Sequence, residues 1–226
     1  SLHDALPISA SLMEYFDVKV IFSEDKISPL LQAASGKRGV EWVESIVETL
    51  HLRCEVNCSD YDNIPNQGAA IIVANHPTVV DGLALINTVA RVRQDVKIIA
   101  NHILTLIFPQ IKNISIGIKN MHGKMSHRQF KEMNDHLKNG GVLVICPAGR
   151  LANISWMGLR ESRWYPGFIQ LAAKTNAALV PIHISGANSI GYYLAASIWR
   201  PLSNLMIFRE IAKHKNNTLH MKICQQ

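Results

Sequence analysis

The sequence predicts an α/β fold: a largely parallel, mixed sheet flanked by helices, in a single domain. Two patterns carry that expectation. Short, wholly apolar runs such as AAIIVA (residues 69–74) and VLVI (142–145) read as strands covered on both faces, which lose the in–out alternation of a half-exposed sheet. Between such runs lie segments with apolar residues at helical spacing, so strands and helices alternate along the chain. At 226 residues there is room for one full domain.

In chain order, Gly39 to Leu50 (GVEWVESIVETL) sets Val40, Val43, Ile46, Val47 and Leu50 on one helical face, with its glutamates elsewhere. Leu52 to Val56 is a short strand, followed by a polar loop that ends in IPNQG. Ala69 to Ala74 is the first buried strand, Asp81 to Val92 a helix and Val96 to Ala100 a second strand. His102 to Ile111 reads as helix and Ile114 to Ile118 as strand. His127 to Lys138 is amphipathic and closes at Gly140–Gly141, a good helix stop. Val142 to Cys146 is a strand, Tyr165 to Thr175 a helix and Ala178 to Ile184 a strand; the closing TLHMKICQQ alternates like a strand. Residues 1–8 (SLHDALPI) resemble one reading frame of a short sequencing adapter and are set outside the fold. On that reading residues 9–35 are an N-terminal segment cut short, and the strand-like C-terminal end, which lacks a turn signal, fits a second truncation.

Composition removes several classes. With 48% hydrophobic and 18% charged residues, the chain can build a core and is neither disordered nor a coiled coil. Lys+Arg is 23 against Asp+Glu 17, a net charge of +6, which suits a phospholipid surface, an acidic carrier or nucleic acid. Its basic residues are scattered and not interleaved with aromatics, which argues against nucleic acid. Cys54, Cys58, Cys146 and Cys224 form no disulfide framework and read as reduced thiols of a cytosolic setting. Cys54 and Cys58 lack a second ligand pair at zinc spacing, so no metal site is expected. No apolar run approaches the roughly 18–20 residues of a membrane span. There is no P-loop, dinucleotide fingerprint or serine elbow; the near miss GANSIG has Ala187 where the elbow needs glycine.

Sites in parallel sheets form at the carboxyl ends of strands, which draws attention to the residues just beyond AAIIVA and VLVI. After the first comes Asn75-His76-Pro77-Thr78-Val79-Val80-Asp81. Pro77 suits a first helical position, which would put His76 at the cap and Asp81 in the second turn, leaning back toward it. A carboxylate on one imidazole nitrogen fixes the tautomer and raises the basicity of the other. From these residues alone two readings stand: a His/Asp base for a hydroxyl or amine supplied by a substrate, or a capping histidine beside a dipole-favoured carboxylate. After the second strand comes Cys146-Pro147-Ala148-Gly149-Arg150, a forced turn from which a guanidinium projects. Arg150 is either a clamp for phosphate or carboxylate or a surface arginine. Cys146, ending a buried strand, reads as an inert thiol and not a nucleophile.

Taken together, NHPTVVD after a strand, VLVICPAGR some 65 residues on, and ALVPIHISGANS (Ala178 to Ser189) resemble the glycerolipid, PlsC-like acyltransferases. The third block has the form used by the bacterial branch often called hemolysin-like, which includes enzymes of ornithine-lipid synthesis. The likeness runs from about Gly36 onward, so residues 36–226 are the expected acyltransferase domain. It implies transfer of a fatty acyl group from an acyl carrier protein or CoA thioester to a lysolipid hydroxyl in membrane lipid biosynthesis, with no covalent enzyme intermediate. His76 would be the base and Asp81 its partner, with Asn75, Gly149, Arg150 and Lys119 binding substrate. No metal and no cofactor beyond the thioester co-substrate is implied, and the protein would lie peripherally on the cytoplasmic face of the membrane. Oxyanion donors would be backbone amides at the helix start or in the CPAG turn.

Two departures bear on the acceptor. The wider family has a glutamate where this chain has Ala148, and an arginine in the second block where ISIGIKNMHGK offers Lys119, His122 or Lys124. They also give the main rival reading, a catalytically idle lipid-binding relic of the fold, against which the intact His76/Asp81 pair argues; a lipid hydrolase is a further alternative. The stretches Tyr192 to Phe208 and Ile103 to Phe108 read either as core or as interfacial membrane contacts.

Overall fold

A computed structural model describes residues 24–118, 126–156, 158–198 and 206–225. Two helices, α1 (Glu24–Ala33) and α2 (Gly39–Thr49), precede β1 (Arg53–Glu55) and a 3-10 turn, Cys58–Asn63, in the loop read as merely polar. Then come β2 (Ala70–Ala74), α3 (Asp81–Ala90), β3 (Val96–Asn101), α4 (His102–Ile107), β4 (Ser115–Ile118), α5 (His127–Lys138) and β5 (Val142–Ile145). A hairpin of β6 (Asn153–Ser155) and β7 (Gly158–Arg160) comes next. The described chain closes with α6 (Gly167–Thr175), β8 (Ala178–Ser185), α7 (Ile190–Ile198), α8 (Ile207–Lys213) and β9 (Thr218–Ile223).

Seven strands form one sheet in the order β1-β9-β8-β2-β5-β3-β4, parallel throughout except where β8 meets β9. The sheet is a mixed, mostly parallel one, as expected. Its apolar strands segregate by strict alternation. Ile71, Val73, Leu143 and Ile145 face a layer containing Met133 and Leu137 of α5 and Leu171 of α6. Ile72, Val144, Val180 and Ile182 face the opposite layer, with Val43 and Ile46 of α2 and Leu85 of α3. Two covered faces explain why AIIVA carries no polar residue.

The helix read over 102–111 is broken. It stops at Ile107, and Pro109, which has no N–H to give a helix, opens a 3-10 turn. Between them Phe108 lodges its ring 5.3 Å from that of Trp42 and 5.8 Å from that of Phe208. Helix α5 has the expected limits; Ser126 and Gln129 form a reciprocal capping box at its start, and Gly140 takes φ 83° beyond its end. At the amino end of the sheet the buried Arg93 guanidinium grips Asp95 at 2.6 and 2.8 Å and the carbonyls of Pro65, Gly68 and Gly140 at 2.5–3.0 Å.

Candidate active site

Because Val73 of β2 lies opposite Ile145 of β5, and Ala74 opposite Ile182 of β8, the segments leaving these three strands start side by side. Asn75 continues the ladder with its side chain. Its Oδ1 accepts from the N–H of Ile184 at 2.6 Å and its Nδ2 donates to the Ile184 carbonyl at 2.8 Å. The main chain is thereby free to turn at His76.

His76 and Asp81 come together as the motif suggests, with Nδ1 2.9 Å from Oδ2. Asp81 is wholly buried, and its carboxylate also accepts from the Thr78 N–H at 2.7 Å and from the Thr78 hydroxyl. A buried carboxylate is tolerated only when so supplied with donors. Acceptance from Nδ1–H leaves His76 Nε2 as the basic nitrogen, on a side chain 26% exposed.

The local geometry differs from the sequence expectation in one respect. Helix α3 starts at Asp81, as the apolar pattern over Asp81 to Val92 has it, and not at Pro77 as the motif suggests, with Val80 at its cap. Residues 77–80 form a turn because their polar groups find partners outside a helix. The Val79 N–H reaches Asn188 Oδ1 at 3.1 Å, the Val80 N–H the Thr78 hydroxyl at 3.3 Å, and the Pro77 carbonyl accepts from both Asn188 Nδ2 and the Tyr193 hydroxyl at 3.3 Å. The N–H groups of residues 78–80 are therefore all engaged within the protein.

The 147–150 turn closes through the Gly149 N–H on the Cys146 carbonyl at 3.0 Å, with Gly149 at φ 65°, a conformation glycine holds without strain. Arg150 is half-buried and its Nε is buried with no hydrogen-bond partner among the described residues. Two residues on, the Ala152 N–H donates to the His76 carbonyl at 2.9 Å, which ties Arg150's segment to the histidine. Burial pushes the Cys146 thiol far up, with the charges of Asp81 and Glu161 adding to it, which disfavours the thiolate a nucleophile would need. Lys119, with His122 and Lys124, lies outside the described residues, as do residues 1–23 and the middle of the 192–208 stretch.

Four residues not singled out from the sequence complete the site: Thr78, Glu161, Asn188 and Tyr193. The Glu161 carboxylate accepts from the His76 N–H and, at 2.7 Å, from Trp164 Nε1. It lines a cavity of about 250 Å³ with Asn75, Pro77, Leu159, His183 and Gly186. Only the hairpin brings Glu161 here, and three-residue strands leave no periodic trace. Asn188 is held in turn by His214, whose Nε2 lies 3.2 Å from Asn188 Oδ1 and whose Nδ1 lies 3.1 Å from Asn217 Nδ2. Alongside, the buried Glu210 carboxylate accepts from the Ser189 N–H, from its hydroxyl at 2.8 Å and from Lys213 at 3.2 Å. Gly186 must be small: a Cβ there would stand 3.0 Å from Thr78 and 2.8 Å from Leu219.

Comparison with known proteins bears on the family and the fold. The sequence model of the family described as Acyltransferase matches residues 55–185, more than half of the chain. The Lyso-glycine lipid O-acyltransferase of Bacteroides thetaiotaomicron is 26% identical over 209 residues, covering 89% of this chain and 75% of the relative. The protein of that name from Phocaeicola vulgatus is 24% identical over 214 residues, covering 91% and 75%. The crystal structure of the 1-acyl-sn-glycerophosphate (LPA) acyltransferase PlsC from Thermotoga maritima shares the fold, with a TM-score of 0.52 at 18% identity over 94% of this chain and 80% of that one. The chain thus belongs to the acyltransferase family and is an O-acyltransferase on the PlsC-like fold.

Proposed function

We propose that this enzyme moves a fatty acyl group from an acyl carrier protein or CoA thioester directly to the hydroxyl of a lysolipid, using His76 as general base and Asp81 as its partner. The observation that carries the reading is the 2.9 Å pair between His76 Nδ1 and a wholly buried Asp81. An amino-acid lysolipid of the lyso-glycine kind is the favoured acceptor, since two relatives carry that name and the match covers most of this chain.

As the acceptor oxygen attacks the thioester carbonyl, His76 Nε2 takes its proton and Asp81 stabilises the resulting imidazolium. Collapse of the tetrahedral intermediate breaks the C–S bond, and the leaving thiolate takes the proton back from His76. On this reading the N–H groups of Ala148 and Arg150 stabilise the oxyanion, since Pro147 has none, the Gly149 N–H closes the turn and the helix-start amides are engaged elsewhere. Arg150, with a buried donor that has no partner among the described residues, holds an anionic group of acceptor or donor. The reaction needs no cofactor beyond the thioester, and the lipid substrates place the protein peripherally on the cytoplasmic face of a phospholipid membrane.

Purified protein offered labelled acyl carrier protein or CoA thioester with a panel of lysolipids tests this. Label enters one lipid, and His76→Ala lowers turnover by roughly 10²–10⁴-fold with an unchanged thermal melt. Release of label as free fatty acid alone would make the protein a hydrolase; full activity in the variant would remove His76 from the mechanism.

A further inference from the structure

We propose that the carboxyl end of the sheet is a membrane-facing surface, on which the β6–β7 hairpin inserts Trp156 into the interface of an anionic phospholipid bilayer. This deepens the lipid-acceptor reading above and takes from it the nature of the partner. The observation is one of placement. Among the described residues, every large hydrophobic side chain that stands exposed belongs to a segment leaving the carboxyl end of a strand. Ile103 and Leu106 stand on α4 after β3; the hairpin and the first turn of α6 come after β5; Ile190 and Leu194 stand on α7 after β8. His76 leaves the same end of β2. Strands β3, β5, β2 and β8 are mutually parallel neighbours, so these ends share one side of the molecule. A single exposed leucine or tryptophan is ordinary, whereas their confinement to one end is not.

The hairpin is the sharpest part of that end. Ile154 and Leu159 are cross-strand partners on one face, while the pairs Asn153–Arg160 and Ser155–Gly158 occupy the other. Trp156, at the tip, is 94% exposed. Residues 150–165 carry Arg150, Arg160 and Arg163 against one acid, Glu161, whose carboxylate already accepts from His76 and Trp164. Tryptophan at headgroup depth among arginines is complementary to an anionic lipid surface. Leu159 also lines the cavity beside Asn75, so the apolar face runs from the hairpin into the site. The bond from Ala152 to the His76 carbonyl couples the two mechanically. Docking the hairpin therefore sets the base at the depth where a lysolipid hydroxyl lies.

Cosedimentation with phosphatidylglycerol-containing vesicles tests this without turnover. The wild-type chain binds, Trp156→Asp lowers partitioning about tenfold or more, and Arg163→Glu weakens binding to anionic but not to neutral vesicles. The exposure of Trp156 lets the fold survive, which a thermal melt checks. Equal binding by wild type and Trp156→Asp overturns the proposal, as does no vesicle binding by the wild type. So does a dimer that Trp156→Asp dissociates while vesicle binding is unchanged, which would give the face to a second copy. A chain that binds through Trp156 yet transfers no acyl group to any lysolipid would sink the catalytic reading and leave this one standing.

Discussion

At the scale of single residues, Asn188 holds the turn that follows His76. Its carboxamide is the only side chain among the described residues that both accepts from the 77–80 turn and donates to it. Asn188→Ala loosens that turn without touching His76, and kcat is expected to fall about 10–100-fold while KM changes little. Steady-state kinetics with the thioester varied checks this, and an unchanged kcat would reduce Asn188 to a packing residue. His214, behind it, donates from Nε2 to Asn188 and accepts at Nδ1 from Asn217, which requires the neutral ring. Burial holds its pKa below the ordinary value despite facing Glu210 and Asp81, whose charges pull the other way; Lys213 acts in the same direction as burial. Because the unfolded chain then binds that proton more tightly, the contribution of His214 is intact above about pH 6.5 and is lost as pH falls through the lower folded value. The melting temperatures of wild type and His214→Gln should therefore converge between about pH 7.5 and pH 5.5; a constant gap would remove the ring from the acid response.

At the scale of elements, legibility tracks length and periodicity. The strand AIIVA and the helix His127–Lys138 can be read because several residues repeat one physical demand, burial on both faces in the first and on one stripe in the second. The His76–Asp81 pair is legible because both partners lie in one short motif. The apolar pattern over Asp81 to Val92 has the start of α3 right, whereas the motif reading that begins the helix at Pro77 does not, because Pro77 is as well suited to the observed turn as to a helix, and the choice is made by Asn188 and Tyr193, more than a hundred residues away. The hairpin gives no sign of itself because three-residue strands show no alternation, and Glu161 is hidden with it. The illegible remainder rests on contacts distant in sequence.

At the scale of the whole molecule, the two ends of the sheet divide the labour. The carboxyl end carries His76, the half-buried arginine and the exposed apolar segments. The amino end is closed by Arg93, which gathers Asp95 and three carbonyls. Arg93→Ala removes those bonds, whose acceptors water can partly reach, and should lower stability by about 1–3 kcal/mol, with kcat per folded molecule unchanged. Denaturant titration beside active-site-normalised kinetics checks both halves, and a parallel loss of kcat would couple the two ends. Lastly, the position of β9 between β1 and β8 has a consequence for biosynthesis. A strand made of residues 218–223 fills an interior slot, so β1, synthesised some 160 residues earlier, has no neighbour to dock on until the ribosome has released that segment. The nascent chain can assemble β2, β5 and β8 beforehand, but its sheet stays open on that side until β9 has emerged. Ribosome-bound chains should thus present an unpaired edge along β8 from its synthesis until that moment, a natural point for chaperone contact.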